Sequence, residues 1–315
     1  MKDPQHKRAK AIHRETGQTF YYATRLLPER IREQTYVLYG FFRIADEVVD
    51  DSAGKPPARQ REELEDIRDA ALGRREADEP VVAAFSEIRE EAGIPDREVD
   101  EFIDAMLADI DTDRYETYED LEGYMRGSAA AVGNMMTAIM NVERPETARP
   151  HAMALGEAFQ LTNFLRDVRE DIRELDRIYL PMETLERYDV TPDQIKREEC
   201  TPEFRRAIRS ELRRAEQRYR TGVEGIEHLP EDCQFAVVLS AVLYAEHHRL
   251  IRKQDFDVLS ARPELSHPRK VWVVAKTWWN WRQYRDPVTV FRRVSAVPAD
   301  DSRPEESEHG IPSVK

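Results

Sequence analysis

At 315 residues the chain allows one large domain or two ordinary ones, and its 40% apolar residues suffice for a sizeable core. Its 62 acidic against 48 basic side chains give a formal net charge of −14, which argues against a nucleic-acid partner, because so acidic a chain repels phosphate backbones. Two cysteines, Cys200 and Cys233, cannot build a disulfide framework or a four-ligand zinc site, so a reducing, cytoplasmic setting is expected.

Residues 1–14 are charged, carry no apolar segment of the signal-peptide kind, and are expected to fray. Residues 15–297 read as one helical domain, with apolar residues at helical spacing throughout, as in Leu155, Phe159, Leu165 and Val168. Breaks are expected at Pro28, Gly54 to Pro57, Gly93 to Pro95, Pro145, Pro181, Pro192, Pro202, Pro230 and Pro268. Residues 298–315 form an acidic tail expected to be disordered. Basic charge is almost all arginine, which together with the acidic excess predicts a surface kept soluble at high salt; high-GC coding bias is the rival account of the scarce lysine.

The first chemically informative helix runs from Tyr39 to Asp50. Tyr39, Arg43, Asp46 and Asp50 fall at i, i+4, i+7 and i+11, on one face beside the apolar stripe of Leu38, Phe41, Phe42, Ala45 and Val49. The carboxylates are therefore expected to face the interior, where a cation would offset their repulsion and desolvation. Two oxygen ligands on a rigid helix suit magnesium that also takes substrate phosphates. One Asp-x-x-x-Asp pair is a weak signal, since a solvated helix face gives the same pattern.

A second copy strengthens it: Gln160, Asn163, Asp167 and Asp171 again share one face. Two such helices facing each other make a box of four aspartates, able to bind divalent cations and through them a diphosphate. Acids alone repel an anion, which makes Arg43 and Arg166 candidates for oxyanion contacts.

Further along, the apolar run Phe235 to Ala245 is shorter than the roughly 20 residues of a spanning helix. His247 and His248 are adjacent and point to different helix faces, a poor metal geometry. Glu264 to His267 and Glu306 to His309 keep the Glu-x-x-His spacing but not the two helical pairs that a di-iron bundle requires. The four tryptophans, Trp272, Trp278, Trp279 and Trp281, cluster beside Arg269, Lys270, Lys276, Arg282 and Arg285. They read either as a peripheral membrane contact or as a last helix packing into the core.

The segments Leu26 to Pro28, Tyr39 to Asp51, Tyr124 to Gly133 and Gln160 to Pro181 resemble the squalene and phytoene synthase family of head-to-head prenyl transferases. The family's compound signature, Q-x-x-N-x-x-R-D-x-x-x-D followed by R-x-Y-L-P, stands here as Gln160, Asn163, Arg166, Asp167, Asp171 and Arg177 to Pro181. Tyr244, Asp255 to Arg262 and Arg269-Lys270 are similar to the C-terminal part of phytoene synthases.

The resemblance implies an all-α, single-domain isoprenoid-synthase bundle around a central cavity, in which two prenyl diphosphates condense. By position, Asp46, Asp50, Asp167 and Asp171 would hold magnesium, with manganese as its substitute. Thr19, Arg43, Gln160, Asn163, Arg166, Arg262 and Lys270 would surround substrate, and Tyr39, Tyr124 and Tyr244 would line the reaction chamber. On this reading the substrate is geranylgeranyl diphosphate and no NADPH is needed. The alternatives are a squalene-type or dehydrosqualene-type product from farnesyl diphosphate, and a non-catalytic helical assembly protein of the same fold.

Departures from the family pattern bear on this. Gly17 to Phe20 keeps one hydroxyl, Thr19, where the family usually has two serines, and Asp176 stands where a glycine usually precedes Arg177. Ala129, Ala130 and Gly133, with Met135, Met136 and Met140 below them, outline either a deep tunnel for a long tail or close helix packing.

Overall fold

Prolines and glycines set most of the helix boundaries in the computed structural model, which describes Ala9 and residues 22–50 and 55–298. Helix α1 (Glu29–Asp50) begins just after Pro28, and α2 (Pro57–Ala71) and α3 (Pro80–Ala92) begin on prolines, whose missing N–H costs nothing in a first turn. Gly93 closes α3 in the left-handed conformation, φ 66°. Helix α4 (Asp96–Ala108) is followed by α5 (Tyr118–Met125), entered through a Thr117–Asp120 capping box.

One π-turn, Arg126–Ala130, joins α5 to α6 (Ala131–Ile139). Such widened turns place side chains off the regular helical register and are common beside functional sites. The long α7 (Pro145–Glu174) follows, then the short α8 (Met182–Arg187) and α9 (Pro192–Lys196), then α10 (Pro202–Glu224) and α11 (Glu231–Lys253). Helices α12 (His267–Tyr284) and α13 (Pro287–Val294) complete the order. Among the described residues there is no strand, only an isolated bridge between Arg114 and Ile178.

Helix α7 is the spine, packing against α6, α10 and α11. Its Leu161, Phe164 and Leu165 belong to a core built on α1 to α6, where Phe41 stacks on Phe85 with ring centroids 3.9 Å apart. Its Leu155 and Ala158 belong to a second core with Tyr219, Leu239 and Phe291. Each such large apolar side chain contributes roughly 1.5–3 kcal/mol on burial.

Two glycines let α7 touch its neighbours. A Cβ on Gly133 would lie 2.4 Å from the Ala152 carbonyl oxygen, and one on Gly156 2.5 Å from that of Ala129. Only glycine permits this backbone contact. It holds the π-turn and α6 directly against the helix that carries the second acidic motif.

Candidate active site

A cavity of about 780 Å³ opens between α1 and α7. Helix α1 supplies Tyr39, Arg43 and Asp46 to its wall; α7 supplies Gln160, Asn163 and Arg166. Tyr124 enters from α5, Tyr244 from α11, and Arg262 and Lys270 close the remaining side. Ser128 and Ala129 reach the wall from the π-turn. Asp50, Asp167 and Asp171 are not on this wall but stand beside it on the same two helices, and Asp50 is exposed rather than interior. Thr19 lies outside the described residues.

The carboxylates form one electrostatic unit across the two helices. Burial, opposed by Arg43 and reinforced by Asp50 and Asp109, pushes Asp46 up to about 7. Its side chain keeps 32% of its surface, on the wall of the open cavity. Burial with the charges of Asp167 and Asp50 pushes Asp171 up to about 8. Cations answer only part of this: Arg43 lies 3.3 Å from Asp46, Arg166 pairs with Asp167, and Arg262 bridges Asp167 and Glu170 at 3.0 Å each.

Below the aspartates sits a network that single-sequence reasoning missed. Asp109, just past α4, is buried and accepts the Tyr124 hydroxyl at 2.7 Å and the Tyr179 hydroxyl at 3.4 Å. Burial drives its carboxyl up to about 6. Tyr179 stacks on Phe164 at 4.2 Å, so the Arg-x-Tyr-Leu-Pro segment forms an aromatic floor beside Tyr124. Backbone bonds from Ile178 to Asp113 and from Met182 to Tyr115 pin that segment in place.

His247 is a second omission. It lies on the cavity wall, with Nδ1 3.0 Å from the Tyr244 carbonyl, and burial beside Arg166 lowers its pKa to about 3, so it stays neutral. Burial raises Tyr244 to about 12 and lowers Lys270 from its usual value.

A smaller cavity of about 120 Å³ adjoins the first, sharing Val132, Met136, Gly156 and Phe159 with it. Gly133 and Met140 line it, as the sequence suggested, while Ala130 and Met135 are buried in the surrounding core instead. Leu155, Gly222, Gly225 and Ile226 complete an almost wholly apolar wall. Close packing is thus what the structure gives at Gly133, which also borders this small cavity.

Among the described residues, no three His, Cys, Asp or Glu side chains are gathered tightly enough to cage an ion. A magnesium-like ion asks for less, one or two carboxylates with waters and substrate phosphates. Aspartates whose ionisation is disfavoured by burial and by each other leave a deficit of positive charge, and hard oxygen donors fit a hard divalent cation.

The described residues thus form an all-α bundle in which two acidic helices flank a deep, partly aromatic cavity. The sequence pattern described as Squalene/phytoene synthase matches residues 13–269, and the chain belongs to that family, which acts on prenyl diphosphates with divalent metal. The chain is 31% identical over 261 residues to a phytoene synthase of Rhodobacter capsulatus, covering 82% of this chain and 76% of that one. It is 32% identical over 239 residues to a phytoene synthase of Pseudescherichia vulneris, covering 73% and 77%. Among solved structures, a dehydrosqualene synthase in complex with ligand superposes with a TM-score of 0.80 at 28% identity, covering 89% of this chain and 98% of that one.

Proposed function

We propose that this chain is a phytoene synthase of carotenoid biosynthesis. It joins two geranylgeranyl diphosphates head to head through a cyclopropylcarbinyl diphosphate and releases two diphosphates. The observation that carries the reading is the cavity itself: both acidic helices border one chamber of about 780 Å³, and a smaller apolar pocket of about 120 Å³ shares part of its wall. The similarity to two phytoene synthases supports the same choice.

In this reading residues 15–297 act as one unit. Arg43, Arg166, Arg262 and Lys270 hold the diphosphates, with Gln160, Asn163 and the Thr19 hydroxyl as further polar contacts. Asp46, Asp50, Asp167 and Asp171 would hold magnesium or manganese, which when bound supplies the positive charge that a leaving diphosphate needs. Tyr39, Tyr124 and Tyr244 turn aromatic surface toward the allylic cation, and the apolar wall keeps water from it. Neutral His247 adds no positive charge beside that cation. Coupling loses one proton with the first diphosphate, and ionisation of the second diphosphate followed by rearrangement loses another, so the sequence balances without a hydride and no NADPH enters.

A second reading has its own observation, the structural match to a dehydrosqualene synthase. Incubation of purified protein with magnesium and either farnesyl or geranylgeranyl diphosphate, with and without NADPH, decides between them by product mass. A forty-carbon hydrocarbon formed without NADPH is expected; a thirty-carbon product as the preferred one would move the assignment. No hydrocarbon from a folded sample would leave the non-catalytic reading standing.

A further inference from the structure

Helix α12 is apolar on two sides. Val273, Thr277 and Trp281 are buried on its inner face, where the helix packs against α11 and α13. Its outer face presents Val271, Trp272, Trp278 and Trp279, exposed by 55, 46, 46 and 66%. At helical spacing these four and Ala275 fall within an arc of about 120°. Singly exposed apolar residues are ordinary on a protein surface, but three tryptophans in one continuous stripe mark an interaction face. Tyr22, also exposed, extends the patch at the start of the helix, its ring 6.4 Å from that of His267 and 5.9 Å from the Lys270 ammonium.

The charge on this helix opposes that of the chain. It carries Arg269, Lys270, Lys276 and Arg282 and no acidic residue, in a protein of net charge −14. Cations stand at the tryptophan rings: Lys276 lies 5.1 Å from the Trp272 centroid and Arg282 5.1 Å from that of Trp278, while Arg269, 4.2 Å from Trp272, is held by the buried Glu246 carboxylate. Indole rings interleaved with arginine and lysine match a lipid headgroup layer, where the rings seat at the interface and the cations meet lipid phosphate. The face also adjoins the main cavity, since Lys270 lines that cavity while the next two residues point outward.

We propose that the outer face of α12 docks on an anionic lipid bilayer. The argument stands on this surface alone and does not depend on the reaction assigned to the cavity. Because every tryptophan of the chain lies on this helix, intrinsic fluorescence reports on it directly. Full-length protein is mixed with phosphatidylglycerol vesicles and, separately, with phosphatidylcholine vesicles, then followed by sedimentation and emission wavelength. Phosphatidylglycerol is expected to sediment the protein and shift emission to the blue, and phosphatidylcholine to bind at least about tenfold more weakly.

Combined Trp272→Ser, Trp278→Ser and Trp279→Ser substitution is expected to cut phosphatidylglycerol binding about tenfold or more with an unchanged melting temperature. Should that variant fail to fold, Lys276→Glu with Arg282→Glu keeps every ring and is expected to weaken the same binding. Undiminished binding in the folded triple variant, or in the charge variant when that one decides, overturns the proposal. So does equal binding to both vesicles, or light scattering that shows this face joining two copies of the chain instead.

Discussion

Arg177 donates to the Asp50 carboxylate at 3.3 Å across 127 residues of chain, tying the end of the second acidic helix to the end of the first. The same guanidinium donates to the Asp109 carbonyl oxygen at 2.7 Å and to the Tyr179 hydroxyl at 3.4 Å. Arg177→Met leaves these partly buried groups unmatched. Urea unfolding is expected to show a loss of about 2–3 kcal/mol. A change below about 0.5 kcal/mol would mean that the contact is an ordinary solvated ion pair.

Asp171 is held where its charge is disfavoured, so function and stability should separate there. Asp171→Asn is expected to lower turnover by at least about 10³-fold, through loss of charge complementarity at the leaving group. The metal-free variant should nonetheless be more stable by about 0.5–2 kcal/mol, because a repelled carboxylate has been replaced by its neutral isostere. Magnesium with diphosphate should raise the melting temperature of the parent and not of the variant. Equal stabilisation of both would remove Asp171 from the proposed metal box.

His247 gives a pH dependence of definite sign. Its folded pKa of about 3 lies below the ordinary 6.5, so below pH 6.5 the unfolded chain binds a proton that the folded chain refuses. The histidine therefore costs stability as pH falls from 6.5 toward 3, by up to about 1.4 kcal/mol per pH unit. His247→Gln should lack that slope, so the slope should appear in the difference between parent and variant unfolding curves. Parallel curves over this range would show that the ring is open to protonation.

The junction between the two cavities should select tail length. Val132 borders both, so Val132→Phe takes apolar volume from both without replacing a proposed diphosphate ligand. Paired incubations should shift the ratio of forty-carbon to thirty-carbon product about tenfold toward the shorter, a difference of about 1.4 kcal/mol between transition states. An unchanged ratio would locate the tails elsewhere.

Asp176 explains one departure from the family pattern. It sits at φ 53°, a left-handed conformation that glycine adopts freely and aspartate tolerates, and it recovers part of the cost by pairing with Arg114 at 3.0 Å and Lys196 at 2.8 Å. Asp176→Gly trades ion pairs for relaxed backbone and should change stability by less than about 1 kcal/mol. Asp176→Val loses both and should cost about 2 kcal/mol. Similar melting temperatures for the two variants would show that the conformation carries no strain.

What could be read from sequence followed helical spacing. Tyr39, Arg43 and Asp46 share a face because the chain is locally helical, and the same arithmetic places Gln160, Asn163 and Arg166 together, so the wall these six build was legible. Asp109, Arg177 and Tyr179 stand beyond helix ends, where periodicity gives no direction, and a lone aspartate among 62 acidic residues carries no mark. The adjacent histidines point to different helix faces, and their spacing left no means to see that His247 reaches the cavity. The tryptophans resisted assignment because α12 buries one face and exposes another: Trp281 packs into the core, while Trp272, Trp278 and Trp279 are exposed.

The two cavities are unequal and share Val132, Met136, Gly156 and Phe159 as a common stretch of wall. Two copies of one substrate, seated as proposed, therefore become different molecules on arrival: one lies against the shared apolar residues while its twin faces the opposite wall of the main chamber. Donor and acceptor are told apart by address rather than by chemistry. The asymmetry that a coupling of identical halves requires is built into the wall before either half has reacted.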